Sequence, residues 1–569
     1  MKKLKIAVIL VFLMLFSLNI SGIDRENDLE LMFQKACKFG EVRVIIEMDV
    51  PDIKNLTYQS VQVKTGDLRP VTKLAGFNAD LKLEDAIFKS GDSLLSKLCY
   101  YNFKINRRYS TIPFIALSLS PEALMELNNL PEVISIVEDK LMKLHDNEGV
   151  VKGGDVPVEP QLDQSAGIVG APKAWSVGIT GKGWYVAILD TGVRRTHEMF
   201  KGKNIVEACY SALGDCPNGK TEMVGAGSAT PIKGVSHGTH VAGIAAGKSI
   251  YRAGVSKDSD IIAIQIFSYF PKKKSVLSYG SDQLKALEYV YSLRNTYKIA
   301  AANMSLGGGE FSNFCNDAYL YSIIKNLTDV GIATVISTGN EGHCNGISSP
   351  SCIENAISVG ATRKDDLDAN FSNWKTGMVD LFAPGVDIMS ATAGNDDSYG
   401  SYNGTSMAAP HVTGAWALIK QLEQGISVPD ALKLLQSEGK MITTSCPSGG
   451  QTARINVGKS VMSRLDVVPP TDFSGEQFQN RSLLLTEFFN ELTWRKNNYN
   501  ILKGNNIVRY KLYKIENSQQ VLIDSFDSDT FFYRHRKVSN EDCEYAIKAV
   551  TDEGKESIPA YFTVKASAK

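Results

Sequence analysis

Five short apolar runs in the middle of the chain restrict its fold more than any other feature. They are WYVAILD (184–190), DIIAIQIF (260–267), IAAANMSL (299–306), GIATVIST (331–338) and NAISVGA (355–361). Each is too short for an ordinary helix, and none shows the strict alternation of a half-exposed strand. Such runs read as strands buried on both faces. Helical patterns lie between them, over 281–293 and 319–330. Strand and helix alternating at this interval predict a parallel sheet with helices on both faces, an α/β unit spanning 166–463.

The flanks read differently, so the chain is multidomain, as its 569 residues already suggest. Over 41–145, EVRVIIEM, FIALSLS and VISIVED read as strands and PEALMELNNL as a helix opened by Pro121, an α+β unit. Residues 146–165 are rich in Gly, Val, Pro and Asp without periodicity and read as a linker. After Val467-Val468-Pro469-Pro470, ELTWRK, VRYKLYKI, CEYAIKAV and AYFTVKA alternate between turns. They predict an all-β sandwich over 467–569.

The first 22 residues pair a basic start with an apolar core from Ile6 to Phe16 and a small polar end. That is the layout of a secretory signal peptide, and the core is too short to span a bilayer. Secretion to an extracellular location, without stable membrane insertion after removal, is the expectation. Nine cysteines suit an oxidising destination. Cys209 and Cys216, flanking the short loop YSALGD, are the nearest candidate pair. A net charge of −1 gives no reason to expect nucleic acid as a partner.

Three stretches carry the chemistry. In ILDTGV, Asp190 ends a strand. In SHGTHVAGIAAG, His237 opens a helix, and in NGTSMAAPHVTGA, Ser406 opens another. Functional groups in parallel sheets gather where strands end and helices begin. A serine hydroxyl needs a base to become a nucleophile, histidine is such a base near neutral pH, and a carboxylate behind it fixes its tautomer. A helix N-terminus adds unpaired N–H groups beside developing negative charge. Gly404 permits close backbone approach, and Pro410 is expected in the first helical turn, where its missing N–H is harmless. A fourth stretch, STGNEG, lets the Asn340 amide project from a loop as a donor to an oxyanion. An aspartic protease would need a second Asp-Thr/Ser-Gly, and none is present.

The order Asp, His, Ser in these motifs resembles the subtilisin-like serine proteases over 166–463. The resemblance implies a serine endopeptidase acting on protein or peptide substrates through an acyl-enzyme. It makes Asp190, His237 and Ser406 the catalytic residues and Asn340 the oxyanion donor. Ser305, Leu306 and Gly307, in NMSLGG, would bind substrate backbone and wall the primary pocket, with Ser348 and Ser349 nearby. That pocket is expected to accept medium or large apolar side chains. The 41–145 unit resembles the propeptide of these proteases, an intramolecular inhibitor in a self-processing zymogen. Self-cleavage is expected between Met142 and Gly149. The C-terminal unit resembles a fibronectin type III module, with Trp494 and Tyr545 as its buried aromatics. No cofactor is expected. Met199 stands where many relatives place an acidic calcium ligand, and a thioether is a poor ligand for a hard cation. His240, His411 and His197 are expected to be structural.

Overall fold

The computed structural model describes residues 23–51, 73–145, 164–316, 318–481, 486–517 and 519–567. The signal-like segment 1–22 lies outside them. So does the linker, except its last two residues, which begin the short helix Gln164–Ile168. The chain divides into two units, one of 1–141 with 279–281 and one of 142–278 with 282–569.

The first unit holds a four-stranded antiparallel sheet in the order Phe103–Arg108, Phe114–Leu119, Val42–Met48, Val133–Glu138. The helix Pro121–Asn128 is capped by Ser120, whose hydroxyl accepts from Ala123 N at 3.2 Å. That bond satisfies one of the N–H groups a helix start leaves unpaired. Two further helices, Ile23–Phe39 and Lys73–Lys97, were not expected from the sequence. The first buries Met32, Phe33 and Ala36, an apolar face at helical spacing just ahead of residue 41.

The second unit is organised by a ten-stranded sheet. Its central eight strands are parallel, in the order Gln451–Arg454, Leu381–Pro384, Ile357–Thr362, Ala333–Ser337, Ile299–Met304, Tyr185–Asp190, Asp260–Gln265, Ile205–Tyr210. Antiparallel edge strands, Lys440–Thr443 and Glu222–Val224, close the two sides. Every residue of Ile299–Met304, Ala333–Ser337 and Ile357–Thr362 is buried, so both faces of the sheet are covered. The helix Thr405–Leu422 is buried continuously from Thr405 to Lys420. Its all-round apolar sequence reflects that central place. Lys420 is tolerated because its Nζ donates to Ile426 O at 2.7 Å.

Residues 467–567 form two antiparallel sheets. One has the order Thr471–Arg481, Thr486–Arg495, Phe532–Val538; the other has Gln519–Asp527, Ile507–Glu516, Cys543–Thr551, Ala560–Val564. Trp494, Tyr510 and Tyr545 are buried together with Leu512 and Ile547. The junction is tied down by Asn500, which accepts from Val468 N at 2.8 Å and donates to Val468 O at 2.7 Å. Disulfides join Cys209 to Cys216, Cys315 to Cys352 and Cys344 to Cys446.

Candidate active site

Asp190 is the last residue of its strand and is fully buried. Its carboxylate oxygens lie 2.8 and 3.0 Å from His237 Nδ1. That contact commits the Nδ1 proton to the carboxylate and leaves the lone pair on Nε2. Thr191 laces strand end to helix start: its N–H donates to Asp190 Oδ1 at 2.7 Å, and its hydroxyl accepts from Gly238 N at 3.0 Å. His237 is the first residue of the helix His237–Ala246.

Ser406 is the second residue of the helix Thr405–Leu422. Met407, next to it, packs in one cluster with Val241, Ala242 and Ala245 of the His237 helix. The Ser406 hydroxyl donates to Ser305 O at 3.1 Å. Pro410 departs from expectation, since it lies inside the helix rather than in its first turn. A proline there cannot donate to the carbonyl four residues back, which is Ser406 O. Ser305 compensates, its hydroxyl donating to that carbonyl at 3.0 Å.

Asn340 Nδ2 donates to the carbonyl oxygen of His145 at 2.6 Å, and Ser406 N donates to the same oxygen at 3.3 Å. The amide is held in that orientation by Thr405, whose N–H and hydroxyl both donate to Asn340 Oδ1, at 2.9 and 2.8 Å. Gly404 has φ 153°, and a Cβ there would stand 2.4 Å from His145 O. Only glycine leaves room for that carbonyl.

Residues 143–145 run beside the strand Leu306–Phe311. Leu144 pairs with Leu306 and Lys143 with Gly307, antiparallel, and His145 N donates to Ser305 O at 3.4 Å. The His145 side chain, 1% exposed, enters the pocket behind this strand. A Cβ on Gly307 would come 2.7 Å from its Cε1, so glycine at 307 opens the pocket wall. Its Nδ1 is 2.8 Å from Ser337 Oγ, while its buried Nε2 has no hydrogen-bond partner among the described residues. Burial pushes the imidazole down to about 4, helped by Lys143 and His237 and opposed by Glu341. Burial also works against ionisation of Glu341. Lys143 Nζ at 2.7 Å and Asn373 Nδ2 at 2.8 Å more than offset it, holding that carboxyl well below its usual range.

All seven residues singled out in the sequence therefore belong to one region. Asp190 and His237 are in direct contact, and Ser305, Leu306, Gly307, Asn340 and Ser406 surround residues 143–145. Thr405 and Ser337 carry no assigned role in the sequence reading, though Thr405 lies inside NGTSMAAPHVTGA and Ser337 opens STGNEG; His145 lies within the expected self-cleavage window, Met142 to Gly149. The three histidines expected to be structural each have a ring nitrogen at a backbone carbonyl. His240 Nε2 is 2.9 Å from Gly400 O and its ring stacks on Tyr402, His411 Nδ1 is 2.8 Å from Met407 O, and His197 Nε2 is 2.8 Å from Ser398 O. Met199 is buried in the core with Phe200 and Val241.

The Subtilase family profile matches residues 181–457. Alkaline protease 1 of Aspergillus flavus is 35% identical over 243 residues, 43% of this chain and 53% of that protein, so the chain spans about half the length of this relative. The match to an alkaline proteinase of Hapsidospora chrysogena is longer, 30% identical over 58% of this chain and 76% of its own. The alkaline protease of Alkalihalobacillus alcalophilus is 31% identical over 61% of this chain and 80% of its own. With likeness extending over most of the length of two such relatives, the chain belongs to the subtilase family of serine proteases.

Proposed function

We propose that the protein is a secreted serine endopeptidase, made as a self-processing zymogen. The observation that carries the reading is a peptide carbonyl, that of His145, received by Asn340 Nδ2 and Ser406 N beside the Ser406 hydroxyl. In the reaction the hydroxyl turns from Ser305 O toward the imidazole. Ser406 Oγ attacks the substrate carbonyl while His237 Nε2 takes its proton, and Asp190 stabilises the imidazolium. Negative charge developing on the carbonyl oxygen meets the two N–H donors, aided by the helix start. His237 then delivers the proton to the leaving amine, and water hydrolyses the acyl-enzyme. The named relatives are alkaline proteases, and a neutral base is what an alkaline medium supplies.

The antiparallel seating of residues 143–145 supports the zymogen reading, with the N-terminal unit as intramolecular inhibitor. Three disulfides support an oxidising, extracellular destination. Among the described residues no helix is long and apolar enough to cross a membrane. The three- and four-stranded sheets of 467–567 support a fibronectin type III-like module. A buried thioether at Met199 supports the reading that no calcium is held there.

The test is expression of the wild type beside Ser406→Ala. Only the wild type is expected to shed its N-terminal unit and to react with a fluorophosphonate. Two full-length, unlabelled proteins would remove the reading.

A further inference from the structure

The pocket expected to take apolar side chains holds an imidazole, and its wall carries a hydroxyl placed to meet it. We propose that self-processing breaks the peptide bond on the carboxyl side of His145, and that Ser337 is a specificity-determining residue that selects histidine at the residue before the cut. This inference rests on the peptidase reading above and specifies its substrate.

Four observations place that bond at the reaction centre. The His145 carbonyl oxygen is the one that receives both Asn340 Nδ2 and Ser406 N. The His145 N–H is bonded to Ser305 O, which also accepts from the Ser406 hydroxyl, so attacking oxygen and attacked residue share one anchor. The preceding residues occupy successive positions along the strand Leu306–Phe311. Lys143 pairs with Glu341 at 2.7 Å, and Met142, 8% exposed, sets its sulfur against Gly308. The recognised sequence thus reads Met-Lys-Leu-His, an apolar residue, a base, a leucine and an imidazole.

Ser337 accounts for the last of these. Its hydroxyl lies 2.8 Å from Nδ1 at the end of a strand whose other residues are all buried. A phenyl ring would fill the same space but leave this hydroxyl unsatisfied, which disfavours it. The selected form is uncharged, because the unpartnered Nε2 is buried and a second ring proton there would place a cation without an acceptor. In the step itself a bond forms between Ser406 Oγ and the His145 carbonyl carbon, and the C–N bond to the next residue breaks. The amine leaves with the proton His237 took from Ser406. Water then splits the ester, leaving a carboxylate on His145.

The experiment has two arms. In the first, the released N-terminal fragment is weighed by mass spectrometry as it forms, and its last residue is expected to be His145. In the second, kcat/KM is compared for acetyl-Met-Lys-Leu-His-p-nitroanilide and its Phe counterpart, on wild type and Ser337→Ala. The variant is expected to lose about tenfold on the His substrate, the ratio one hydrogen bond supports, and to gain on the Phe substrate, which no longer leaves a hydroxyl unsatisfied. Should Ser337→Ala mature poorly, the double variant His145→Phe/Ser337→Ala is expected to restore maturation, because its tail no longer needs the hydroxyl. A fluorophosphonate-reactive enzyme whose fragment ends elsewhere, or a Ser337→Ala that loses equally on both substrates, overturns this inference alone. A protein that neither labels nor cuts any bond overturns the peptidase reading instead.

Discussion

The proposed reaction centre and the proposed primary pocket share one end of the sheet but are encoded in opposite ways. Asp190, His237 and Ser406 each sit in a motif at a strand end or helix start, and Asn340 sits in a glycine-flanked loop. Their geometry is over-determined by backbone. Thr191 ties the first two together, and Thr405 aims the amide of Asn340. The pocket relies instead on single side-chain contacts across long stretches of chain, such as His145 to Ser337, 192 residues apart. The difference teaches that chemistry is fixed by rigid local structure, while selectivity rests on a few replaceable groups.

That contrast predicts a steep hierarchy of losses. Asp190→Asn is expected to cost on the order of 10⁴ in kcat, because an amide behind His237 favours the wrong tautomer. Asn340→Ala is expected to cost on the order of 10²–10³ in kcat with KM little changed, a figure taken from the same donor in subtilisin itself. Both are read by steady-state kinetics on a peptide anilide. Equal losses from Asn340→Ala and Ser337→Ala would erase the distinction between centre and pocket.

The smallest effect concerns pH. A free histidine titrates near 6.5, and burial lowers the pocket-bound His145 to about 4. Binding therefore favours the neutral ring. The affinity of the matured wild-type enzyme for the product peptide Met-Lys-Leu-His, read as its inhibition constant against a peptide anilide, is expected to be full above 6.5. It then falls by up to about tenfold per pH unit as pH drops from 6.5 toward 4. The groups facing the ring are Glu341, Lys143 and His237, and their own titration is subtracted by repeating the series with Phe in place of His. A His peptide that tracks the Phe peptide at every pH would break the comparison at its weakest point.

Much of the α/β unit was legible because burial on both faces leaves continuous apolar runs, as in IAAANMSL. Strands such as Leu381–Pro384 and Gln451–Arg454 were not, since four residues containing Pro or Gln carry too little periodicity. The helix Ile23–Phe39 is masked in the sequence although its apolar face is regular, because it follows directly on a signal-like segment. The four motif residues stand out in the sequence because the proposed chemistry demands particular residue types at particular places. Pro410 lies beyond the first turn expected for it, since the sequence alone does not show where the Ser406 helix begins or that Ser305 supplies the missing donor. Ser337 opens the STGNEG stretch, yet its contact is not legible there: a serine at a strand end says nothing until its partner is known.

The most direct test of the central claim is to label the protein with a fluorophosphonate and map the adduct by peptide mass spectrometry. A single adduct on Ser406 is expected, lost in His237→Ala as well as in Ser406→Ala. An adduct on another serine, or labelling of Ser406 that persists undiminished without His237, would contradict the claim.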